Sequence, residues 1–220
     1  MSETRATVFV VDDDQGVRDS LQLLIKSIGL DAQTYPSAYA FLEAYDPERP
    51  GCLVLDVRMP GMSGLELQQE LASRGSTLPI IFITAHADVP MAVDAVKAGA
   101  ADFVQKPFRD QDLIDKIQHA IEENARVRLE LADHAQIASR IASLTPRERE
   151  VMALVVEGKA NKVVARTLGL SQRTVEIHRA RVMKKMHADS VAQLVEMAAR
   201  AGVGRPIHGD WHHLRPQANQ

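Results

Sequence analysis

"GCLVLDVRMPG", residues 51–61, sets a carboxylate at the end of an apolar run. Cys52–Leu55 have the length and composition of a buried strand, and Asp56 follows at once, ahead of an arginine and a Met-Pro-Gly turn. Such a strand exists to bury side chains, and burying an unpaired charge is costly. Asp56 therefore needs something to face.

Working outward, comparable runs stand at Val8–Val11, Ile80–Ile83 and Phe103–Val104, with a weaker one near Ala32–Tyr35. Segments of helical period lie between and after them, at 15–28, 37–45, 64–74, 89–98 and from 110 onward. Strands alternating with helices predict a parallel sheet covered on both faces, a doubly wound α/β domain of five strands. In such sheets, sites form beyond the carboxyl ends of the strands. The ends here are Asp12-Asp13-Asp14, Asp56, Thr84 and Lys106-Pro107. Each residue alone has a plain structural reading; Asp14, for example, suits the cap of the helix that follows. Their joint occurrence at the ends of different strands is harder to assign to structure alone.

The chain has 220 residues, 45% hydrophobic and 25% charged, in the range of ordinary globular proteins. No apolar run approaches the roughly 20 residues that span a bilayer. The start, MSETRATVFVV, lacks a basic n-region, so no signal peptide is expected. The single cysteine, Cys52, has no internal partner for a disulfide. These features predict a cytoplasmic protein without membrane contact. The net charge of −3 conceals an asymmetry: residues 1–142 carry 13 Lys+Arg against 22 Asp+Glu, and residues 143–220 carry 13 against 7. An acidic front and a basic back suggest two domains, the second suited to a polyanion.

From Phe108 to Thr145 there is neither Gly nor Pro, and Ile114, Ile117, Ile121, Ile137 and Ile141 keep helical spacing. The stripe weakens over 124–133, which sets a soft boundary at 123–142. The expected organisation is a first domain over 4–122, a helical linker over 123–142, an all-helical domain over 143–204 and a polar tail over 205–220.

In the basic half, "SLTPREREVMALVVEG" reads as a helix start with Thr145 as N-cap, Pro146 first in the helix and Glu148 closing a capping box. Asn161 suits the cap of a second helix stopped by Gly169; Ser171 suits the cap of a third, "QRTVEIHRARVMKKM"; "SVAQLVEMAARAG" makes a fourth. Two short helices split by "LGLS" form a helix-turn-helix with the third helix as reader. Val175, Val182 and Met186 make its buried stripe, and Glu176, Ile177, Ala180 and Lys184 lie on another face. Lys162, Arg173, Arg179, Arg181, Lys184 and Lys185 supply a positive field for phosphates.

The strand-end residues carry their own chemistry. Adjacent carboxylates repel unless a cation sits among them, and hard oxygen donors suit Mg²⁺. A carboxylate is also a nucleophile able to form an aspartyl phosphate. Lysine and hydroxyl groups stabilise a transferring phosphoryl group.

VFVVDDD, LVLDVRMPGMSG, IFITAHAD and KAGAADFVQKPF resemble, in order and spacing, the receiver domain of two-component response regulators. The resemblance implies that Asp12 and Asp13 hold Mg²⁺ and that Asp56 accepts the phosphoryl group. It further implies that Arg58 offers the metal a backbone carbonyl, that Thr84 and Phe103 form the switch pair, and that Lys106 binds the phosphate ahead of a cis Lys106-Pro107 peptide. Ala85 leaves the phosphate approachable, and His86 stands where dephosphorylation is tuned. TPREREV and GKANKVVARTLGLSQRTVEIHRARVMKKM look like the LuxR-type DNA-binding domain of the FixJ/NarL family, and the whole is most similar to FixJ-type regulators. By that match Glu176, Ile177 and Ala180 meet base edges, while Lys162, Thr174, His178 and Arg181 meet the backbone.

The function so implied is transcriptional regulation switched by phosphorylation. The phosphodonor is a sensor histidine kinase, the target is double-stranded promoter DNA, and a homodimer forms through the face around 89–98 and the fifth strand. RNA polymerase is a further partner that the resemblance admits. The chain is not expected to be an enzyme beyond its own phosphorylation and dephosphorylation. A phosphohydrolase of the haloacid-dehalogenase type is a competing reading, but such enzymes carry a second Asp where Arg58 stands. A DNA binder indifferent to phosphorylation is another, and the complete acidic set argues against it. The tail holds His208, His212 and His213, for which a mobile polar segment is expected over a metal site.

Overall fold

The computed structural model describes residues 5–85, 95 and 99–202. The chain divides into two compact units, 1–130 and 131–220. The helical pattern at 89–98 falls, except for Ala95, outside the described residues, as do His86, His208, His212 and His213.

The first unit is a five-stranded parallel sheet of β1 (Thr7–Val11), β2 (Asp31–Tyr35), β3 (Gly51–Asp56), β4 (Ile80–Thr84) and β5 (Asp102–Gln105), in the order β2-β1-β3-β4-β5. Its described helices are α1 (Gln15–Ser27), α2 (Ala38–Ala44), α3 (Gly64–Ser73) and the first part of α4 (Asp110–Ala142). Side chains alternate across the sheet, and both faces are buried. Phe9, Val11, Leu53, Leu55 and Phe82 pack in one cluster with Phe41 of α2 and Leu67 and Leu71 of α3. Val8, Val10, Cys52, Val54, Ile81 and Ile83 pack in another with Leu21 and Ile25 of α1 and Leu113 and Ile117 of α4. Burial on both faces is why β1, β3 and β4 read as unbroken apolar runs rather than alternating ones, whereas β2, an exposed-to-half-buried edge strand, gives only a weak run.

The order of the strands reverses beside β1: β2 lies on one side of it and β3 on the other. The connections diverge there and leave a crevice at the carboxyl edge. Asp12 follows β1 and Asp56 ends β3, so both flank it.

α4 is helical without a break from Asp110 to Ala142. The segment with the weakest apolar stripe is fastened to the first unit by polar groups. Asn124 is buried, its Oδ1 accepting the Gly51 N–H at 3.2 Å and its Nδ2 donating to the Thr77 carbonyl at 2.9 Å. Arg128 donates to the Pro47 carbonyl at 2.7 Å.

The second unit contains the end of α4 and α5 (Pro146–Val156), α6 (Asn161–Leu168), α7 (Gln172–Met186) and α8 (Val191–Arg200) around one apolar core. Thr145 and Glu148 form the expected capping box, Ser171 caps α7, and Gly169 ends α6 in the left-handed region at φ 65°. Asn161 does not cap α6. Ala160 holds that position without a side-chain bond, and Asn161 Oδ1 instead accepts from Arg179 at 3.0 Å. A cap side chain competes with other uses, and here a tertiary partner wins. Among the described residues no helix is long and apolar enough to cross a membrane.

Candidate phosphoryl-transfer site and nucleic-acid interface

At the carboxyl edge of the sheet, Asp12 and Asp56 come together over the Lys106 ammonium. Lys106 Nζ donates to Asp12 Oδ2 at 2.7 Å and to Asp56 Oδ1 at 3.1 Å. Asp12 is 1% exposed and Asp56 7%. The second oxygen of each carboxylate is also held: Asp12 Oδ1 accepts the Asp14 N–H at 2.9 Å, and Asp56 Oδ2 accepts the Arg58 N–H at 2.8 Å. What Asp56 faces is thus a lysine shared with a second carboxylate.

Three elements deliver this geometry. Asp12 extends β1 and keeps its N–H on the Tyr35 carbonyl at 3.3 Å. Lys106 follows β5, whose pairing with β4 continues through the Lys106 N–H on the Thr84 carbonyl at 2.8 Å, and the Lys106-Pro107 peptide is cis as the resemblance implies. Arg18 of α1 donates from one nitrogen to the carbonyls of Asp12 (2.7 Å) and Asp13 (3.0 Å) and so fixes the β1–α1 turn. Sequence reading passed over Arg18; the one available signal was a basic residue near the start of a helix, where the macrodipole disfavours it.

Burial pushes the Asp56 carboxyl above its ordinary range, and Asp12 adds to the rise; the Lys106 hydrogen bond and charge and the Arg58 N–H pull it back only in part. For Lys106 burial acts downward, but hydrogen bonds to Asp12 and Asp56 outweigh it and hold the ammonium above its ordinary value. The lysine is a fixed cation, able to meet added negative charge on Asp56.

Asp13 and Arg58 are exposed and outside the lysine bridge. Among the described residues no group of three or more His, Cys, Asp or Glu is gathered to hold a metal. What converges is two carboxylates, Asp12 and Asp56. That donor set fits Mg²⁺, which takes one or two carboxylates and keeps its waters, and does not fit a structural zinc site. Thr84 is 2% exposed. Phe103 is half-buried on β5, its ring 6.5 Å from that of Phe82.

In the second unit α6 and α7 form the helix-turn-helix. Val175, Val182 and Met186 of α7 are buried, as expected. Arg173, Glu176, Ala180, Arg181 and Lys184 of α7 and Lys162 of α6 are exposed, and Ile177 is 47% exposed, unusual for an isoleucine. Among the described residues the side chains of Lys162, Arg173, Glu176, Arg181 and Lys184 have no hydrogen bond or ion pair. Thr174 and His178 are half-buried; the Thr174 hydroxyl shares a 2.8 Å bond with Ser171 Oγ, and His178 Nδ1 is buried without a partner. Two cations expected in the positive field are used inward instead. Arg179 is bonded to Asn161, and Lys185 donates to Glu148 at 2.7 Å and the Ser143 carbonyl at 3.0 Å. Long cationic side chains reach either solvent or a neighbouring helix, and helical period alone does not distinguish these.

Known proteins match both halves. A family model described as the response regulator receiver domain matches residues 8–118, and one described as bacterial regulatory proteins, luxR family, matches residues 142–198. The transcriptional regulatory protein FixJ of Azorhizobium caulinodans is 48% identical over 196 residues, covering 89% of this chain and 93% of that one. Nodulation protein W of Bradyrhizobium diazoefficiens is 48% identical over 92% of this chain and 89% of its own. Among solved structures, the response regulator StyR superposes with a TM-score of 0.84 at 45% identity, covering 89% of this chain and 99% of that one. Full-length FixJ from B. japonicum gives a TM-score of 0.56 at 45% identity, over 90% and 98% of the two chains.

Proposed function

Since the chain belongs to the FixJ-type transcriptional regulators of two-component systems, joining a receiver domain to a LuxR-type DNA-binding domain, we propose that phosphorylation of Asp56 switches its binding to promoter DNA. The observation that carries this reading is the buried Asp12–Lys106–Asp56 bridge at the carboxyl edge of the sheet. It is paired, in the same chain, with a reader helix on which Arg173, Arg181 and Lys184 have no side-chain partner among the described residues.

In the transfer step an Asp56 carboxylate oxygen attacks phosphorus. The bond from phosphorus to the donor breaks, and the electron pair leaves on the donor: on an imidazole nitrogen of a sensor histidine kinase, or on a carboxylate oxygen of an acyl phosphate. Receiver domains bind Mg²⁺ where they are phosphorylated; here Asp12, Asp13, Asp56 and the Arg58 carbonyl would hold it, and it would supply charge neutralisation at the phosphoryl oxygens. The Lys106 ammonium, already within 3.1 Å of Asp56 Oδ1, passes to a phosphoryl oxygen. The Thr84 hydroxyl turns to another. Space vacated by Thr84 admits Phe103, and the reshaped face pairs with a second copy.

At the DNA, Glu176, Ile177 and Ala180 read base edges in the major groove beside Lys184, while Lys162, Arg173, Thr174, His178 and Arg181 meet the phosphate backbone. With Nδ1 buried, His178 has its Nε2 left for a phosphate. RNA polymerase meets the DNA-bound dimer. The organisation we assign is receiver over 4–122, linker over 123–142 and reader over 143–204.

A footprint of promoter DNA with and without an acyl-phosphate donor and Mg²⁺ tests this reading. The wild-type chain should protect DNA at lower concentration after treatment, and Asp56→Asn should not respond. An Asp56→Asn chain that still gains DNA affinity on treatment would defeat the reading.

A further inference from the structure

We infer that Gly64 is a positioning residue for phosphoryl transfer, left without a side chain so that α3 braces the main chain of Asp56. The inference rests on Asp56 being the acceptor. Gly64 opens α3, and its N–H donates to the Val57 carbonyl at 3.0 Å. A Cβ at this position would overlap the Asp56 carbonyl oxygen and lie 3.1 Å from both the Asp56 carbonyl carbon and Leu55 Cγ. These atoms cannot swing aside: two belong to the backbone and the third to a fully buried core side chain.

Conformation does not explain this glycine. Gly75, Gly99, Gly158, Gly169 and Gly202 adopt positive φ and have open space where a Cβ would go, so there the backbone angle is the requirement. Gly64 is free of that constraint and is crowded instead, so close approach is its requirement.

Neither side of the contact yields easily. The capping box fixes the start of α3: Ser63 Oγ accepts the Glu66 N–H at 3.3 Å, and Glu66 Oε2 accepts the Ser63 N–H at 2.8 Å. Leu67 and Leu71 anchor the same helix in the core. Opposite, the Asp56 carboxylate is tied to Arg58 and Lys106. Any side chain at Gly64 therefore displaces the Asp56 backbone and carries its carboxylate away from Lys106 and Asp12. A misplacement of about 1 Å costs on the order of a hundredfold in rate.

The test compares wild-type, Gly64→Ala and Ile25→Val full-length chains, the last a core change away from the site. Each is treated with acetyl phosphate and Mg²⁺, phosphorylation is followed by intact mass across donor concentrations, and melting is recorded alongside. Gly64→Ala should lower the saturating rate about 30- to 100-fold and leave the half-saturating donor concentration within about threefold. Ile25→Val should keep its rate within about twofold whatever its melting temperature. A Gly64→Ala rate within about threefold of wild type overturns the brace, as does a loss matched by Ile25→Val. Glu66→Ala opens the capping box without adding bulk at Gly64, so it keeps the question decidable if Gly64→Ala does not fold; it should slow phosphorylation about fivefold, and an unchanged rate overturns the brace. A wild-type chain that takes up no phosphoryl group overturns the acceptor assignment and the brace together. Normal wild-type labelling beside normal Gly64→Ala labelling overturns the brace alone.

Discussion

At the strand ends of the first unit, Asp12 and Asp56 are out of solvent and all four of their carboxylate oxygens have partners, whereas on α7 and α6 Lys162, Arg173, Arg181 and Lys184 stand in solvent without one among the described residues. On the proposed function, the contrast follows from what each group has to meet. A group that undergoes covalent change must be held in register with its neighbours, because small misplacements cost rate. A group that meets a polyanion gains from staying hydrated and unpaired until the partner's counterions are released. The second unit does contain a held charge, the buried Glu148 on Lys185, but that pair joins α5 to α7 and belongs to the fold.

The largest effect should come from breaking the held set. Lys106→Ala removes the cation shared by Asp12 and Asp56 and should slow phosphorylation by an acyl phosphate about 10²- to 10³-fold, read by intact mass. Preserved labelling would mean that the bridge is only structural. On the free set, the three cations assigned to phosphates, Lys162, Arg173 and Arg181, predict a fall in DNA affinity of about fortyfold per reader domain between 50 and 200 mM salt. A flat salt profile would show that the exposed cations do not meet phosphates.

Next comes the held pair inside the basic unit. Glu148→Gln should destabilise that unit by about 1–3 kcal/mol. The Lys185 hydrogen bond, then the Thr145 N–H, holds the Glu148 carboxyl below its ordinary value. Its contribution is therefore present above the unfolded-state pKa of about 4.3. It is lost as pH falls through the lower folded value. The wild-type melting temperature of this unit should drop across that window, and Glu148→Gln should flatten the drop.

Smaller still, Lys162→Ala should weaken binding about fivefold on every sequence and lower the salt slope by about one, while Glu176 or Ile177 replacements should change sequence preference instead. Preference that moves with Lys162 and not with the other two would reverse the groove assignment. Least of all, the Cys52 thiol, pushed up to about 12 by burial, should ignore a thiol reagent until the chain unfolds.

Much of the first unit was legible because β1, β3 and β4 are buried on both faces, so each reads as an apolar run with a candidate site residue at or just past its end. The caps at Thr145, Ser171 and Gly169 were legible because their chemistry is local. Contacts between distant segments were not. Asn124 and Arg128 lie in the stretch with the poorest apolar stripe, yet they fasten α4 through backbone carbonyls and an N–H, which hydrophobic period does not register. Lys185 and Arg179 counted toward the expected positive field, yet they are interhelical ties. Gly64 stands in the LVLDVRMPGMSG motif, but its crowding shows only once the Asp56 carbonyl is seen against it.

The most direct measurement is to treat the chain with an acyl phosphate and Mg²⁺, reduce the product with borohydride, and map the altered residue by peptide mass. The account predicts reduction of a single aspartyl phosphate at Asp56, absent in Asp56→Asn. Modification at Asp12 or Asp13, or none anywhere, would contradict it.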